Sequence, residues 1–201
     1  QMVEDIGHEN YVTTLESWGN SKYMMYGYKK GYPLNSLWGF EYAGPWQNEE
    51  QLKQYYVESN TYVSSTMADK TNASAVSSLL GLAKYVDQNQ DGQLSEKDIV
   101  YLGNSDPVLY GGLNNTFHWK NLKFSFYFIY SLGGKIYNYS EMFMGGGTVT
   151  NQYRYMLNAW SERNPDSDLP RAGFYGIAAP SDFMVHDASY LRLQDLSFSY
   201  S

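Results

Sequence analysis

From Leu109 onward the chain alternates with period two. Across 109–119 the odd positions read Leu, Gly, Leu, Asn, Phe and Trp, and the even ones Tyr, Gly, Asn, Thr and His. After a minimal Lys120-Asn121 turn, Leu122, Phe124, Phe126, Phe128, Tyr130 and Leu132 share one face. Lys123, Ser125, Tyr127, Ile129 and Ser131 take the other. Two long alternating runs around a tight turn predict a β-hairpin. The segment from Ser189 to Ser201 predicts a further strand. Its apolar face switches partway, from Leu191 and Leu193 to Leu196, Phe198 and Tyr200, and a β-bulge accounts for such a switch. So long a row of large apolar side chains exceeds the need of a small sandwich. Pattern alone leaves two readings open: a soluble sheet with a greasy inner face, and a membrane barrel wall whose apolar face meets lipid.

Elsewhere the periodicity is weaker. Between Tyr11 and Tyr42 mixed aromatic stretches are punctuated by Gly27, Gly31, Pro33 and Gly39, which predicts short strands broken by turns. A helix is predicted from Asn48 to about Tyr56. Asn48 is its cap, Glu49 and Glu50 fall in its first turn, and Leu52, Tyr55 and Tyr56 share a face. Small and helix-forming residues from Thr71 to Val86 predict a second, weaker helix. A helical period returns between Thr150 and Arg163 through Tyr153, Met156, Leu157 and Trp160, and Asn164-Pro165 ends it. Gly133-Gly134 and Gly145 to Gly147 mark turns or loops.

Composition narrows the class. Aromatics make up 17% of the 201 residues, as many as the charged residues, and 21 of them are Tyr. Tyr, apolar in its ring and polar at its tip, suits half-wet surfaces such as membrane interfaces and glycan-binding faces. A net charge of -7 argues against nucleic acid, which needs clustered Lys and Arg. Without cysteine there is no disulfide framework, thiolate metal site or Cys nucleophile. No run of apolar residues is long enough for a transmembrane helix, a test that strands of a barrel escape. The start at Gln1, without initiator or signal peptide, is what a segment cut from a longer protein would show.

The sharpest local signal runs from Asp87 to Asp98. Asp87, Asn89 and Asp91 stand at loop positions one, three and five, Gly92 at six permits a sharp turn, and Asp98 stands at twelve. Oxygens so spaced converge when the backbone coils, Gln93 would add its carbonyl, and Ser95 would act directly or through water. That is the logic of a calcium loop. Asp at position twelve, where an EF-hand has Glu, makes bidentate closure less secure and resembles extracellular dockerin loops. The expected metal is a structural calcium held by Asp87, Asn89, Asp91, Gln93 and Asp98. The competing reading is an Asx-rich turn held by its own hydrogen bonds. His8, His118 and His186 lack zinc-ligand spacing, and no pair among Glu41, Glu49, Glu50, Asp166, Asp168, Asp182 and Asp187 is singled out for acid–base work. No phosphate loop, nucleophile elbow or triad order is visible, so no catalysis is expected.

Several phrases, in order, resemble the C-terminal part of the SusC/RagA family of TonB-dependent outer-membrane transporters. They are Gly31-Tyr-Pro-Leu-Asn-Ser-Leu-Trp-Gly-Phe40, Gly44 to Leu52, Lys84 to Leu94 with Asp98, Leu102 to Pro107, Tyr110 to Asn115, Trp160 to Pro165 with Leu169 to Arg171, and Asp187 to Leu193. The resemblance covers most of the chain from about Gly31. It implies a mainly β fold: antiparallel strands of a transmembrane β-barrel of about 22 strands, plugged by an N-terminal domain, with short helices in extracellular loops. Residues 1–201 would be a C-terminal portion of the barrel domain, the plug and N-terminal domains lying outside this chain. The implied place is the bacterial outer membrane of Bacteroidetes-like cells. The implied function is import of an oligosaccharide or peptide ligand, with a SusD-like surface lipoprotein as partner and energy from TonB through the absent N-terminal region. Membrane lipid would cover the apolar strand face. The alternative is a soluble calcium-stabilised glycan-binding or adhesin-like module, which explains the acidic loop and the aromatics but not the ordered phrases.

Overall fold

The computed structural model describes residues 14–15, 23–24, 26–27, 29–52, 62–64, 79–92, 94–141, 151–173 and 179–201. The described strands are β1 (Thr14–Leu15), β2 (Tyr23–Met24), β3 (Tyr26–Gly27), β4 (Ser36–Gly39), β5 (Tyr42–Pro45), β6 (Tyr62–Ser64), β7 (Ala83–Val86) and β8 (Val100–Asn104). After them come β9 (Leu109–Trp119), β10 (Leu122–Leu132), β11 (Lys135–Tyr137), β12 (Val185–Asp187) and β13 (Tyr190–Tyr200). All their strand pairings are antiparallel.

The three eleven-residue strands form one sheet in the order β13-β10-β9. Its register carries the alternation of one strand onto the next, because residues directly opposite share a face. On the apolar face Phe124 lies between Phe117 and Phe198, and Phe128 between Leu113 and Leu193. Asn115, opposite Phe126, is the polar exception on that face. On the polar face Ser125 lies between Thr116 and Ser197, and Tyr127 between Asn114 and Asp195. The Ser125 and Ser197 hydroxyls hydrogen-bond at 2.6 Å. The rings of Phe117, Phe124, Phe126 and Phe128 contact one another in a chain, with centroids 5.4 to 6.4 Å apart.

The bulge expected in β13 is present. Tyr127 pairs with Asp195 and Phe128 with Leu193, so Gln194 is the extra residue. Alternation already turns Gln194 to the polar face, and the register puts Asp195 there too. Leu191 and Leu193 therefore stay on the same side as Leu196, Phe198 and Tyr200. The hairpin turn is as tight as the sequence predicts, with Lys120 in the left-handed region at φ +53°.

The short strands build two further three-stranded sheets, β3-β4-β8 and β5-β7-β6, beside the β1-β2 and β11-β12 pairs. Among the described residues their interior divides into three clusters. Leu37, Tyr137 and Met184 form one; Phe40, Ala83, Tyr85 and Ala179 the second; Trp46, Leu52, Leu79 and Leu82 the third.

Two expected helices change character. Of the Thr71 to Val86 segment, 71–78 lies outside the described residues, and Ala83–Val86 is strand β7, not helix. Alternate side chains Ala83 and Tyr85 are fully buried there, and pairing with both β5 and β6 outweighs the local helical preference. Within Thr150 to Arg163 the helical part shrinks to a 3-10 helix, Arg154–Asn158. The chain then turns extended at Ala159, and the Trp160 amide donates to the Leu169 carbonyl at 2.9 Å. The Asn48 helix does open as expected over 49–52, and its later residues lie outside the described set. Asn48 Oδ1 accepts from the Gln51 amide at 2.9 Å, and Gln51 Oε1 accepts from the Gln47 amide at 3.2 Å. That is an N-cap at Asn48, with the side chain at the third helical position reaching back to the residue before the cap. The Gly145 to Gly147 run lies outside the described residues, whereas Gly133 turns at φ +84° as expected.

Candidate functional site

The acidic loop begins where β7 ends. The Val86 amide donates to the Glu41 carbonyl at 3.0 Å, and Asp87 follows directly. Gln90 at φ +60° and Gly92 at φ +77° curl the backbone back on itself. The curl is closed by Asp87, whose Oδ2 accepts from the Gly92 amide at 2.7 Å. Asn89 Oδ1 accepts from the Asp91 amide at 3.0 Å, while its Nδ2 donates to Asp91 Oδ2 at 2.8 Å. Gln93, at the seventh position, lies outside the described residues.

Asp98 ties the far end to the near one. Its Oδ1 accepts from the Gln88 amide at 3.0 Å, and its Oδ2 accepts from the Ser95 amide at 2.8 Å and the Ser95 hydroxyl at 3.2 Å. A 3-10 helix, Glu96–Asp98, holds Asp98 in place. Below the loop, Leu94 and Ile99 pack on the cluster of Phe40, Ala83, Tyr85 and Ala179. The structure thus brings Asp87 and Asp98 inside the loop, 2% and 0% exposed, and leaves Asn89 and Asp91 at its surface.

The two buried carboxylates differ. Both oxygens of Asp98 have donors, whereas Asp87 Oδ1 is buried with no hydrogen-bond partner. Among the described residues, no three His, Cys, Asp or Glu side chains gather into a metal-holding group. A calcium shell draws as much on amide and backbone oxygens as on carboxylates, so the donor set to weigh includes Asn89 and the loop carbonyls.

Contacts from distant elements surround the loop, and its own spacing gives no sign of them. Gln88 Nε2 donates to Glu41 Oε2 at 3.0 Å. The Tyr42 amide donates to Asp182 Oδ1 at 2.8 Å, and the Tyr42 hydroxyl to the Asp168 carbonyl at 2.9 Å. Desolvation raises the Asp182 carboxyl above the usual carboxylate range; the Tyr42 amide opposes the rise and the Glu41 charge adds to it. Tyr42 is pushed far above an ordinary phenol, by burial first and then by Tyr85, Asp168 and Asp182. A phenol so placed stays protonated at neutral pH and acts as a structural donor. The 151–173 loop docks nearby. Trp160 Nε1 donates to the Gln47 carbonyl at 3.3 Å, and the Arg171 amide to the Gly81 carbonyl at 2.7 Å.

No protein-family model matches the chain. It is 32% identical over 167 residues to TonB-dependent receptor P26 of Formosa agariphila, a match covering 81% of this chain and 15% of that protein. Against TonB-dependent receptor SusC of Bacteroides thetaiotaomicron the identity is 26%, covering 100% of this chain and 21% of the relative. The fold is similar to a chain of the RagAB peptide transporter, with a TM-score of 0.64 and 23% identity over 97% of this chain and 18% of that one. The chain therefore spans well under a quarter of the length of these relatives.

Proposed function

Since this chain belongs to the TonB-dependent receptors of the SusC/RagA type, proteins of the bacterial outer membrane, we propose that it contributes barrel wall and surface loops to a nutrient importer. In this reading β9, β10 and β13 cross the bilayer, with the Phe124 face against lipid and the Ser125 face towards the lumen. The observation that carries it is one apolar face kept continuous across three strands of equal length, with a bulge correcting the strand whose sequence would otherwise flip. Eleven residues rising about 3.4 Å each, tilted about 40°, cover roughly 26 Å, close to the apolar band of a barrel. Trp119 and Tyr200 flank Leu122 beside the tight turn, where an interfacial aromatic girdle would sit. The outer strands β9 and β13 have free edges in this sheet, which neighbouring strands of a closed barrel would pair.

The importer would take up glycans or peptides, work with a SusD-like surface lipoprotein, and draw energy from TonB through segments outside these residues. Supporting this are its relatives: a peptide transporter among the structural neighbours and SusC among the sequence relatives. Their being receptors also speaks against chemistry beyond binding and transport. The test is recovery of the native protein carrying this sequence. It is expected in the outer-membrane fraction, as a heat-modifiable band copurifying with a lipoprotein. A water-soluble product stable without detergent would overturn the barrel reading.

A further inference from the structure

We propose that the loop from Asp87 to Asp98 is a calcium site, with Asp87 Oδ1 as its first ligand. Asp87 carries the site, not the number of acids. A carboxylate 2% exposed is costly to hold ionised unless both oxygens are compensated. One oxygen takes the Gly92 amide; the other is buried without a donor. Among the described residues no Lys, Arg or His pairs with Asp87. An oxygen left so, inside a loop whose other buried acid is fully satisfied, has the environment of a ligand awaiting a cation.

The rest of the loop supplies the remaining donors. Asn89 and Asp91 face each other through the 2.8 Å bond from Nδ2 to Oδ2, and both lie on the stretch of chain that the Asp87–Gly92 bond closes. Cation binding would free Asp91 Oδ2 from that bond as a ligand, and Asn89 Oδ1, which accepts from the Asp91 amide through one lone pair, would offer its other. The curl itself is already fixed by Gln90, Gly92 and the Leu94 anchor, so little ordering entropy opposes binding. Ligands of oxygen alone, part carboxylate and part amide, suit calcium. Zinc prefers nitrogen and sulfur, and magnesium demands a tighter octahedron and keeps its water.

The consequence is mechanical. Asp87 directly follows β7 of one sheet, and Asp98 stands two residues before β8 of another. An ion on Asp87 would stiffen the loop between two sheets, whose ends the Gln88 amide already ties through Asp98 Oδ1 at 3.0 Å.

The experiment is hydrogen exchange on the native, detergent-solubilised protein, with EGTA or with calcium titrated to millimolar, and with magnesium as comparison. Calcium is expected to slow exchange across 87–98 at least tenfold, with half-protection near 10⁻⁴–10⁻³ M, about the range of extracellular modules. Asp87→Asn keeps an oxygen for the Gly92 amide and is expected to weaken calcium protection at least tenfold. Asp106→Asn, outside the loop and bonded to Asn35, is expected to leave it unchanged. Loop exchange in the unsubstituted protein that ignores calcium overturns the proposal, however the variants fold. Equal protection by magnesium at the same concentration, or undiminished calcium protection in Asp87→Asn, overturns it as well.

Discussion

Single residues set the local geometry of the loop region, and some of them were legible in advance. Asn48 reads as a cap from its place before two acids, and Asp87 and Asp98 read as loop ends from spacing alone. Gly81 does not. It sits at φ +77°, and a Cβ there would stand 2.2 Å from Cε3 of Trp160, a residue almost eighty positions away. No local pattern encodes that requirement. Gly81→Ala is expected to destabilise the region by about 2–4 kcal/mol, from left-handed strain and overpacking together. The readout is faster proteolysis of the 151–173 loop with the barrel still heat-modifiable. Asp182 gives a pH-dependent case. Its carboxyl is raised in the fold, so its contribution is fully present below the unfolded carboxylate value and is lost as pH climbs through the folded one. The side chain keeps part of its surface in water, so the effect is small. Asp182→Asn retains an acceptor for the Tyr42 amide without the charge. It is expected to abolish this pH dependence, whereas Asp182→Ala loses about 0.5–1.5 kcal/mol at every pH. Thermal unfolding between about pH 4 and 7 separates the two.

At the scale of elements, long period-two runs proved the most legible part of the chain, because burial of one face leaves no freedom in register. The β9-β10 hairpin and the bulged β13 follow directly from alternation. The helix expectations failed where distant partners decide. Ala83–Val86 is drawn into a sheet by β5 and β6, and the helix expected around Met156 is cut short because Trp160 leaves for its seat over Gly81. Met156 is buried while Leu157 is 84% exposed, so the supposed apolar face never forms. The bulge makes a sharp forecast. Deleting Gln194 removes the extra residue and leaves Leu191, Leu193, Leu196, Phe198 and Tyr200 on one face, so assembly is expected to survive. Deleting Ser197 turns Phe198 and Tyr200 to the polar face and is expected to abolish assembly. Heat-modifiability of the two deletion variants in outer-membrane fractions reads the difference. Loss in both would show that the bulge is needed for its own sake and not merely for facing.

At the scale of the molecule, the exposed apolar surface has to be accounted for as a whole. Leu109, Leu113, Phe117, Trp119, Leu191, Leu193, Leu196, Phe198 and Tyr200 are exposed, and all share the face of Phe124. In water such a patch drives aggregation; against hydrocarbon it is what a wall requires. Neighbouring residues can decide between these environments. Leu113 faces Phe128 on the apolar side and Asn114 faces Tyr127 on the polar side, both near the middle of β9. If the apolar face meets lipid, Leu113→Arg places a cation near the bilayer midplane at a cost of about 2–4 kcal/mol, and Asn114→Arg places one in an aqueous lumen at little cost. The expected outcome is a marked fall in assembled protein for Leu113→Arg and near-normal recovery for Asn114→Arg. A face that instead packs against another layer of protein would make Leu113→Arg equally damaging. The discrimination therefore comes from adding Leu113→Lys and Leu113→Phe. Lipid accepts Phe readily and rejects Lys, whereas a packed interior at native density resists the added volume of Phe as well. Full assembly of Leu113→Phe beside failure of both cationic variants is the signature of lipid.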